Sequence, residues 1–377
     1  APTPAPAPAP APTPAPAPAP APAPKPTPTP APAPTPAQPP KVIKWSVQAK
    51  NPTTQPVFAV MKEGLTQKIK SITDGGFIID VGEPGAFVAK AAEWDGVQAG
   101  TIQGALTTTV DNKKAFGDVA GLFAEYAASP NPDQFIAWYI HGDGLKLQQK
   151  LIDKTPGFDK VVTLGPFIAS GAEVELMSKK PINTIADFKG LKFRAFGDWG
   201  KVLADVGASV IFIPAAEVYE AVNRGIVDAL ELSDRATNVS FGMHEIIKLW
   251  YYPGVHAPGV LGDFYVNKDA FNALPPGYQL LLKEVTRSTI MYNFTMMPVI
   301  NAQATPKILA AGVQLKQMPI EISAELAQRA DKMWREFAAK DPFFKEVYDN
   351  QWAFVNAYAE SYNTNQPDIP MLLKYKK

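Results

Sequence analysis

A chain of 377 residues with 36 basic and 36 acidic side chains has no formal net charge, and no basic face laced with aromatics is visible, which argues against a nucleic-acid partner. Cysteine is absent, so disulfides, thiolate catalysis and zinc–sulfur sites are excluded together, while the redox compartment stays open. No run of eighteen apolar residues occurs, so the sequence offers no membrane span.

The first forty residues stand apart. Half are proline, the rest mostly Ala and Thr, and Lys25 is the only charge. With nearly every second amide donor missing and each pre-proline residue pushed out of the αR region, the segment cannot build a helix or join a sheet. Polyproline II is the expected conformer, reaching roughly 120 Å at about 3.1 Å per residue. It reads either as a disordered spacer or as a stiff tether holding the folded part away from a membrane. Starting at Ala1, with no Met and no apolar signal region, the sequence reads as a mature chain whose export signal has been removed.

The remaining residues exceed what one core usually serves, so two lobes are expected. Val42–Val47 alternates as a first strand, and Asn51–Gln55 is a polar turn. Gln55–Ile72 is an amphipathic helix with Pro56 tolerated in its first turn. Gly76–Val81 is a second strand, and Val97–Gly104 holds the next turn and strand. Gly144–Asp153 is helical, and Val161–Leu164 begins the crossing into a second lobe. In Leu191–Phe196 polar and apolar residues alternate until Gly197 breaks the run. Lys201–Val206 is a short helix with Gly207 at its C-cap. Val210–Ile213 reads as a fully buried strand stopped by Pro214. Gly277–Asn293 has the length of a bridging helix, and Glu321–Ala339 and Phe343–Asn363 are further helices. Strand, helix, strand, helix is the order of an α/β lobe, which places ligands at the carboxyl ends of its strands. Arg194 lies near such an end. Its planar guanidinium is suited to grip a carboxylate through two parallel hydrogen bonds, or it pairs with a nearby acid of the protein itself.

No catalytic arrangement stands out. His141, His244 and His256 are scattered with no second ligand at helical spacing, and read as structural or surface residues. Gly142-Asp143-Gly144 lacks the rest of a dinucleotide fingerprint, and neither GxSxG nor a phosphate-cradling loop occurs. Asn238-Val239-Ser240 and Asn293-Phe294-Thr295 fit the glycosylation pattern, a match that arises readily by chance. The chain is not expected to be an enzyme.

DFKGLKFRAFG followed by GKVLADVGASVIFIPAAEVYEAVNRGIVDALE resembles the signature of the extracytoplasmic solute-binding proteins of TRAP transporters. GAEVELMSKKPI, LWYYPGVHAPG, FYVNKDAFNALPPG and AAKDPFFKEVYDNQWAF follow the same family in the right order, closest to the branch that binds 2-oxo acids, lactate and related monocarboxylates. The resemblance implies a two-lobed α/β periplasmic-binding-protein fold, type II-like, with a long bridging helix, C-terminal helices and the Pro/Ala tether. The implied boundaries are 1–40 for the tether, 41–164 with 237–275 for the first lobe, 165–236 with 276–335 for the second, and 336–377 for a C-terminal helical segment. It implies a periplasmic receptor, exported and tethered to the membrane if the N-terminal segment serves as an anchor. Its partners would be a small carboxylate and a TRAP-type permease or another membrane complex. C-terminal helices can mediate dimerisation in that branch, so a homodimer is an open expectation.

The same resemblance assigns Arg194 to the ligand carboxylate. It assigns Glu173 and Glu231 to a cluster holding the ligand with Na⁺ or Ca²⁺, to which carboxylates give oxygen ligands. The reading of both glutamates as partners of a neighbouring Lys or Arg stands beside it. Trp199 would cover the apolar end of a ligand, or simply pack. The loop Gly82–Phe87 would lie beside the ligand. Two departures weaken the match. Leu232 stands where the family usually has Trp, and Ala105–Thr109 replaces a loop rich in aromatics and His. Asp234 and Arg235 would pair with each other or enter the site. Two functions therefore remain: a carboxylate receptor, or a tethered accessory subunit that kept the fold and lost or altered ligand binding.

Overall fold

In this computed structural model, residues 42–365 are described. The Pro/Ala segment and the last residues of the C-terminal segment lie outside them.

Eleven strands form among the described residues. They are β1 (Ile43–Ala49), β2 (Phe77–Gly82), β3 (Gly104–Thr107), β4 (Val161–Ser170), β5 (Leu176–Ser178) and β6 (Lys192–Arg194), then β7 (Ser209–Ile211), β8 (Ala229–Leu230), β9 (Leu249–Tyr252), β10 (Val260–Asn267) and β11 (Gln314–Gln317). Alternation turns Trp45, Val47 and Ala49 of β1 and Phe77, Ile79 and Val81 of β2 inward, and the two strands pair in parallel. Between them α1 (Pro56–Lys62) continues through a π-helical stretch (Glu63–Lys68) into a last turn (Ile69–Ile72), burying Phe58, Met61, Leu65 and Ile69 against the sheet.

Two sheets result, one per lobe. The first has the order β2-β1-β3-β10-β4, the second β11-β9-β5-β8-β6-β7. The chain passes between them three times: from β4 to β5, from β9 back to β10, and from β10 through a long helix to β11. β4 stays in the first sheet as far as Ser170, so the crossing comes after that residue and not at Val161–Leu164. β9, expected with the first lobe, pairs in the second sheet. β7 is also corrected. It is the edge of its sheet, with Ile211 45% and Phe212 57% exposed, because Val210–Ile213 has a neighbour on one side only. Phe212 uses its freedom to pack on Phe196.

Further helices complete the lobes: α2 (Pro132–His141), α3 (Trp199–Asp205), α4 (Arg235–Ser240), α5 (Pro276–Ala310), α6 (Ile320–Lys340) and α7 (Pro342–Asn365). The bridging helix α5 runs well past Asn293, through Pro298 and Pro306. Its first half packs Leu282 and Val285 into the first core, Asn293 Oδ1 accepts from the Ala169 amide at 2.6 Å, and Ile308 enters the second core. Asn238 and Asn293, the heads of the two glycosylation-like triplets, are both fully buried. α6 lies on α3 of the second lobe, joined by an Arg329–Asp205 ion pair, while α7 lies on α2 of the first, with Trp138 Nε1 donating to Asn350 Oδ1 at 2.8 Å.

One buried polar knot in the first lobe has a measurable consequence. Asp263 Oδ2 accepts from Gln148 Nε2 at 2.8 Å and from Tyr265 Oη at 2.7 Å, while Oδ1 has no partner among the described residues. Burial pushes its pKa from 3.8 to about 7, outweighing both hydrogen bonds. Since the folded value lies above the unfolded one, the folded state holds the extra proton between about pH 4 and 7. Stability is therefore highest below that window and falls as pH rises through it. Between pH 5 and 8 the loss from this one group should be on the order of 2–3 kcal/mol. Asp263→Asn should flatten that dependence in urea titrations; an unchanged slope would remove Asp263 as its source.

Candidate functional site

The second sheet aims its chemistry at one end. Arg194 is the last residue of β6, Glu231 follows β8, and Trp199 opens α3. Two of the lobe crossings, residues 171–175 and 253–259, run beside each other at the same place, with Glu173 N donating to Ala257 O at 3.1 Å. In the short segment Glu173-Val174-Glu175 the two carboxylates fall on one side. That side meets His256 of the neighbouring crossing.

Arg194 is 4% exposed and its donors are largely taken. Nε donates to Ile213 O at 3.0 Å, and Nη1 donates to Glu231 O at 2.6 Å and to Glu231 Oε2 at 3.0 Å. Arg194 itself lines neither of the two cavities between the lobes. The other Glu231 oxygen accepts from the Phe196 amide. His256 lies between two acids, with Nε2 3.1 Å from Glu173 Oε2 and Nδ1 3.3 Å from Glu175 Oε2. Burial opposes charge on this imidazole, but its hydrogen bonds to Glu173 and Glu175, and their charges, hold its pKa well above the ordinary value. Burial pushes Glu173 up to about 8 against the His256 contact, so at neutral pH a proton is held in this pair.

Two cavities of ≈ 200 Å³ each open beside the cluster between the lobes, and Glu125 lines both. One is walled by Lys50, Thr108, Glu173, Ser233 and Asp234. The other is walled by Lys113, Phe196, Trp199, Glu231, His256 and Trp334. Burial raises the Glu125 pKa, and Lys50 and His256 oppose that. Across the second cavity Lys113 of the first lobe meets Asp198 of the second at 2.6 Å. One donor atom from each of Glu173, Glu231 and His256 falls within 4.8 Å of the others, a spacing open to a metal ion. Carboxylates outnumber cations here, so the place suits a bound cation, and a cation there suits an anionic ligand.

The profile of bacterial extracellular solute-binding protein, family 7, matches residues 48–341. The chain belongs to that family. A monocarboxylate 2-oxoacid-binding periplasmic protein of Nostoc sp. is 29% identical over 319 residues, 83% of this chain and 84% of that protein. A TRAP periplasmic solute-binding protein of Colwellia psychrerythraea, solved with calcium and pyruvate, superposes with a TM-score of 0.78 at 24% identity, covering 89% of this chain and all of that one. A TRAP solute-binding protein of Bordetella bronchiseptica, a dimer solved with calcium and picolinate in one site, gives 0.77 at 23%, covering 86% and 95%. The fold is thus the two-lobed α/β binding-protein fold expected.

Within this family 7 chain the structure unites four of the five expected residues and separates one. Glu173, Glu231, Arg194 and Trp199 converge, Trp199 packing on His256 with ring centroids 5.7 Å apart. Leu232 instead is half-buried and packs against the second lobe's core. Arg194 holds Glu231 directly, the internal pairing that the sequence left open. Asp234 and Arg235 do not pair: Asp234 caps α4 by accepting from Thr237 N, and Arg235 lies over the Tyr252 ring. The loop Gly82–Phe87 lines neither cavity. Three functional candidates were missed: His256, read as a structural or surface histidine, Glu175 and Glu125. His256 is buried, but between two acids some eighty residues away in sequence, which spacing could not reveal.

The crossing is tight enough to test. A Cβ on Gly254 would sit 2.6 Å from Glu173 O and 3.1 Å from Glu173 C, both backbone atoms. Gly254→Ala should therefore push the Glu173 segment aside and lower stability by about 1–3 kcal/mol in denaturant titrations. A loss under about 0.5 kcal/mol would mean the two crossings separate freely.

Proposed function

We propose that this family 7 protein is an extracytoplasmic receptor for a small organic carboxylate of the 2-oxo or hydroxy acid class, serving a TRAP-type uptake permease. The observation that carries the reading is the buried cluster of Glu173, Glu231, His256 and Arg194 at the lobe crossings, flanked by small cavities. Glu173 and Glu231 hold a cation, Na⁺ or Ca²⁺ as in the solved relatives, and the cation and Arg194 together neutralise the ligand carboxylate. Phe196 and Trp199 face the ligand's apolar end. Closure of the lobes over the cleft excludes water and strengthens these contacts. The 2-oxoacid-binding Nostoc relative and the pyruvate-bound Colwellia structure support this substrate class. No helix among the described residues is long and apolar enough to cross a membrane, so delivery falls to a separate permease. Residues 1–40 are proposed as a spacer or tether, and self-association through the C-terminal helices as the route to a homodimer.

A thermal-shift panel of pyruvate, lactate, 2-oxobutyrate and larger carboxylates, each with and without Na⁺ and Ca²⁺, tests the reading. A ligand at one hundred times its dissociation constant adds about 2.7 kcal/mol. A cation-dependent shift with a monocarboxylate is expected. A flat response across the panel, with copurification of a membrane partner, would favour an accessory subunit instead.

A further inference from the structure

One cavity, apart from those of the cleft, touches all three segments that join the lobes. The stretch 171–174 after β4, Pro253 after β9, and Pro298, Asn301 and Ala302 of α5 wall a space of ≈ 310 Å³. It is larger than either cavity beside the carboxylate cluster and shares only Glu173 with them, whose carboxyl is engaged by His256 at 3.1 Å. Two donors stand in its wall. Arg235 is half-buried, with its guanidinium 4.9 Å from the Tyr252 ring centre and a long hydrogen bond from Nη1 to Thr305 Oγ1 at 3.4 Å. Among the described residues it has no carboxylate within ion-pair distance. Asn301 Oδ1 accepts from the Ala236 amide at 2.9 Å, which fixes the side-chain amide and turns Nδ2 away from that contact. Nδ2 would lie 3.7 Å from a Cβ on Gly171, so the glycine leaves this donor uncovered. A positioned guanidinium with no acid of its own favours an anion, and its fork suits a carboxylate. The remaining wall is mostly apolar, with the Tyr252 ring, two prolines and Ala302. A hydrated inorganic anion would leave those surfaces unused, whereas an acid with a compact apolar body meets both.

We propose that this hinge cavity is a second ligand site, for a carboxylate with a compact apolar body held by Arg235 and Asn301, and that its occupant biases the lobes. Rotation of one lobe against the other must bend the crossings that wall the cavity, so its filling and the lobe arrangement are linked. The cavity exists with the lobes in contact through Lys113 and Asp198, so a molecule that fills it favours this arrangement and tightens the cleft. The inference rests on the receptor reading only for this second effect.

The test is calorimetric titration of the full chain with benzoate, an apolar carboxylate, and with benzamide as its uncharged match. Benzoate should bind once per chain, and benzamide at least about 10-fold more weakly for want of a charge-assisted bond. Arg235→Gln should weaken benzoate about 10-fold or more, and Ala302→Trp should abolish it by filling the cavity from an exposed helix position. With benzoate saturating, the panel carboxylate held in the cleft should bind about 5-fold more tightly or better. No benzoate binding, benzamide bound as well as benzoate, or benzoate indifferent to Arg235→Gln or to Ala302→Trp would each overturn the proposal. If Ala302→Trp does not fold, Arg235→Gln and benzamide decide. Cleft affinity unmoved by saturating benzoate overturns the bias on the lobes. A panel response in protein that lacks the benzoate site overturns this inference and leaves the receptor reading intact. A benzoate site that follows both variants in protein silent to the whole panel supports the site and overturns that reading.

Discussion

Replacing Arg194 by alanine should abolish carboxylate binding and also weaken the fold by about 3–5 kcal/mol, the range for removing one partner of a buried ion pair. Both members are nearly dry, at 5% and 4% side-chain exposure, and their contact is 3.0 Å. Without the guanidinium, the Glu231 carboxylate keeps, among the described residues, the Phe196 amide, and the carbonyls of Ile213 and Glu231 lose this donor. Arg194→Lys should lie between, because one ammonium cannot reproduce a fork that serves three acceptors at once. Arg194→Leu combined with Glu231→Leu separates the two effects. It removes both charges, so stability should recover most of the loss while binding stays absent. Urea titration and calorimetry measure the pair of quantities. Full carboxylate affinity in Arg194→Ala, or a stability loss below about 1 kcal/mol, would contradict both roles given to this side chain.

Local periodicity made much of the architecture legible. Trp45-Ser46-Val47 alternates because β1 has one face on a helix, and α6 and α7 read as helices because their apolar residues keep helical spacing. Where a segment ends was also readable when a single residue forces it, as at Gly207, whose φ of +95° suits glycine after a helix. What a segment packs against was not. Val210–Ile213 has the composition of an interior strand, and only the strand order shows it to be an edge. Val161–Leu164 gave no sign that its strand continues to Ser170, because Gly165-Pro166 reads as a strand break. At the site, Arg194 and Glu231 could be picked out through the motif that contains both. His256 could not, because its meaning comes from two acids on another crossing. The i, i+2 spacing of Glu173 and Glu175 was the available signal, and it needed a partner to give it sense.

Trp334→Ala should cost about 3–5 kcal/mol, the usual range for truncating a buried tryptophan. The side chain is 3% exposed, and its ring meets Tyr126 at 5.5 Å, Phe337 at 5.5 Å and Phe344 at 6.3 Å between centroids. Its Nε1 donates to Ala127 O at 2.8 Å. These contacts make one indole the point where α6, already lying on the second lobe, is joined to the first. Trp334→Phe keeps most of the packing and loses the hydrogen bond, so it should cost about 1–3 kcal/mol through the unpaired Ala127 carbonyl. The effect should reach the site as well. Ala127 sits between Glu125, which lines both cavities, and Ala128, whose amide donates to Val255 O beside His256 at 2.8 Å. Trp334 itself walls the second cavity, so the alanine variant both enlarges that cavity and loosens the loop that carries Glu125. Cation and carboxylate affinities should therefore fall together in Trp334→Ala and much less in Trp334→Phe. Denaturation shows whether the Trp334 contact holds the lobes, and titration shows whether that hold shapes the site. Unchanged affinity in an alanine variant that has lost the expected stability would confine Trp334 to the first of these.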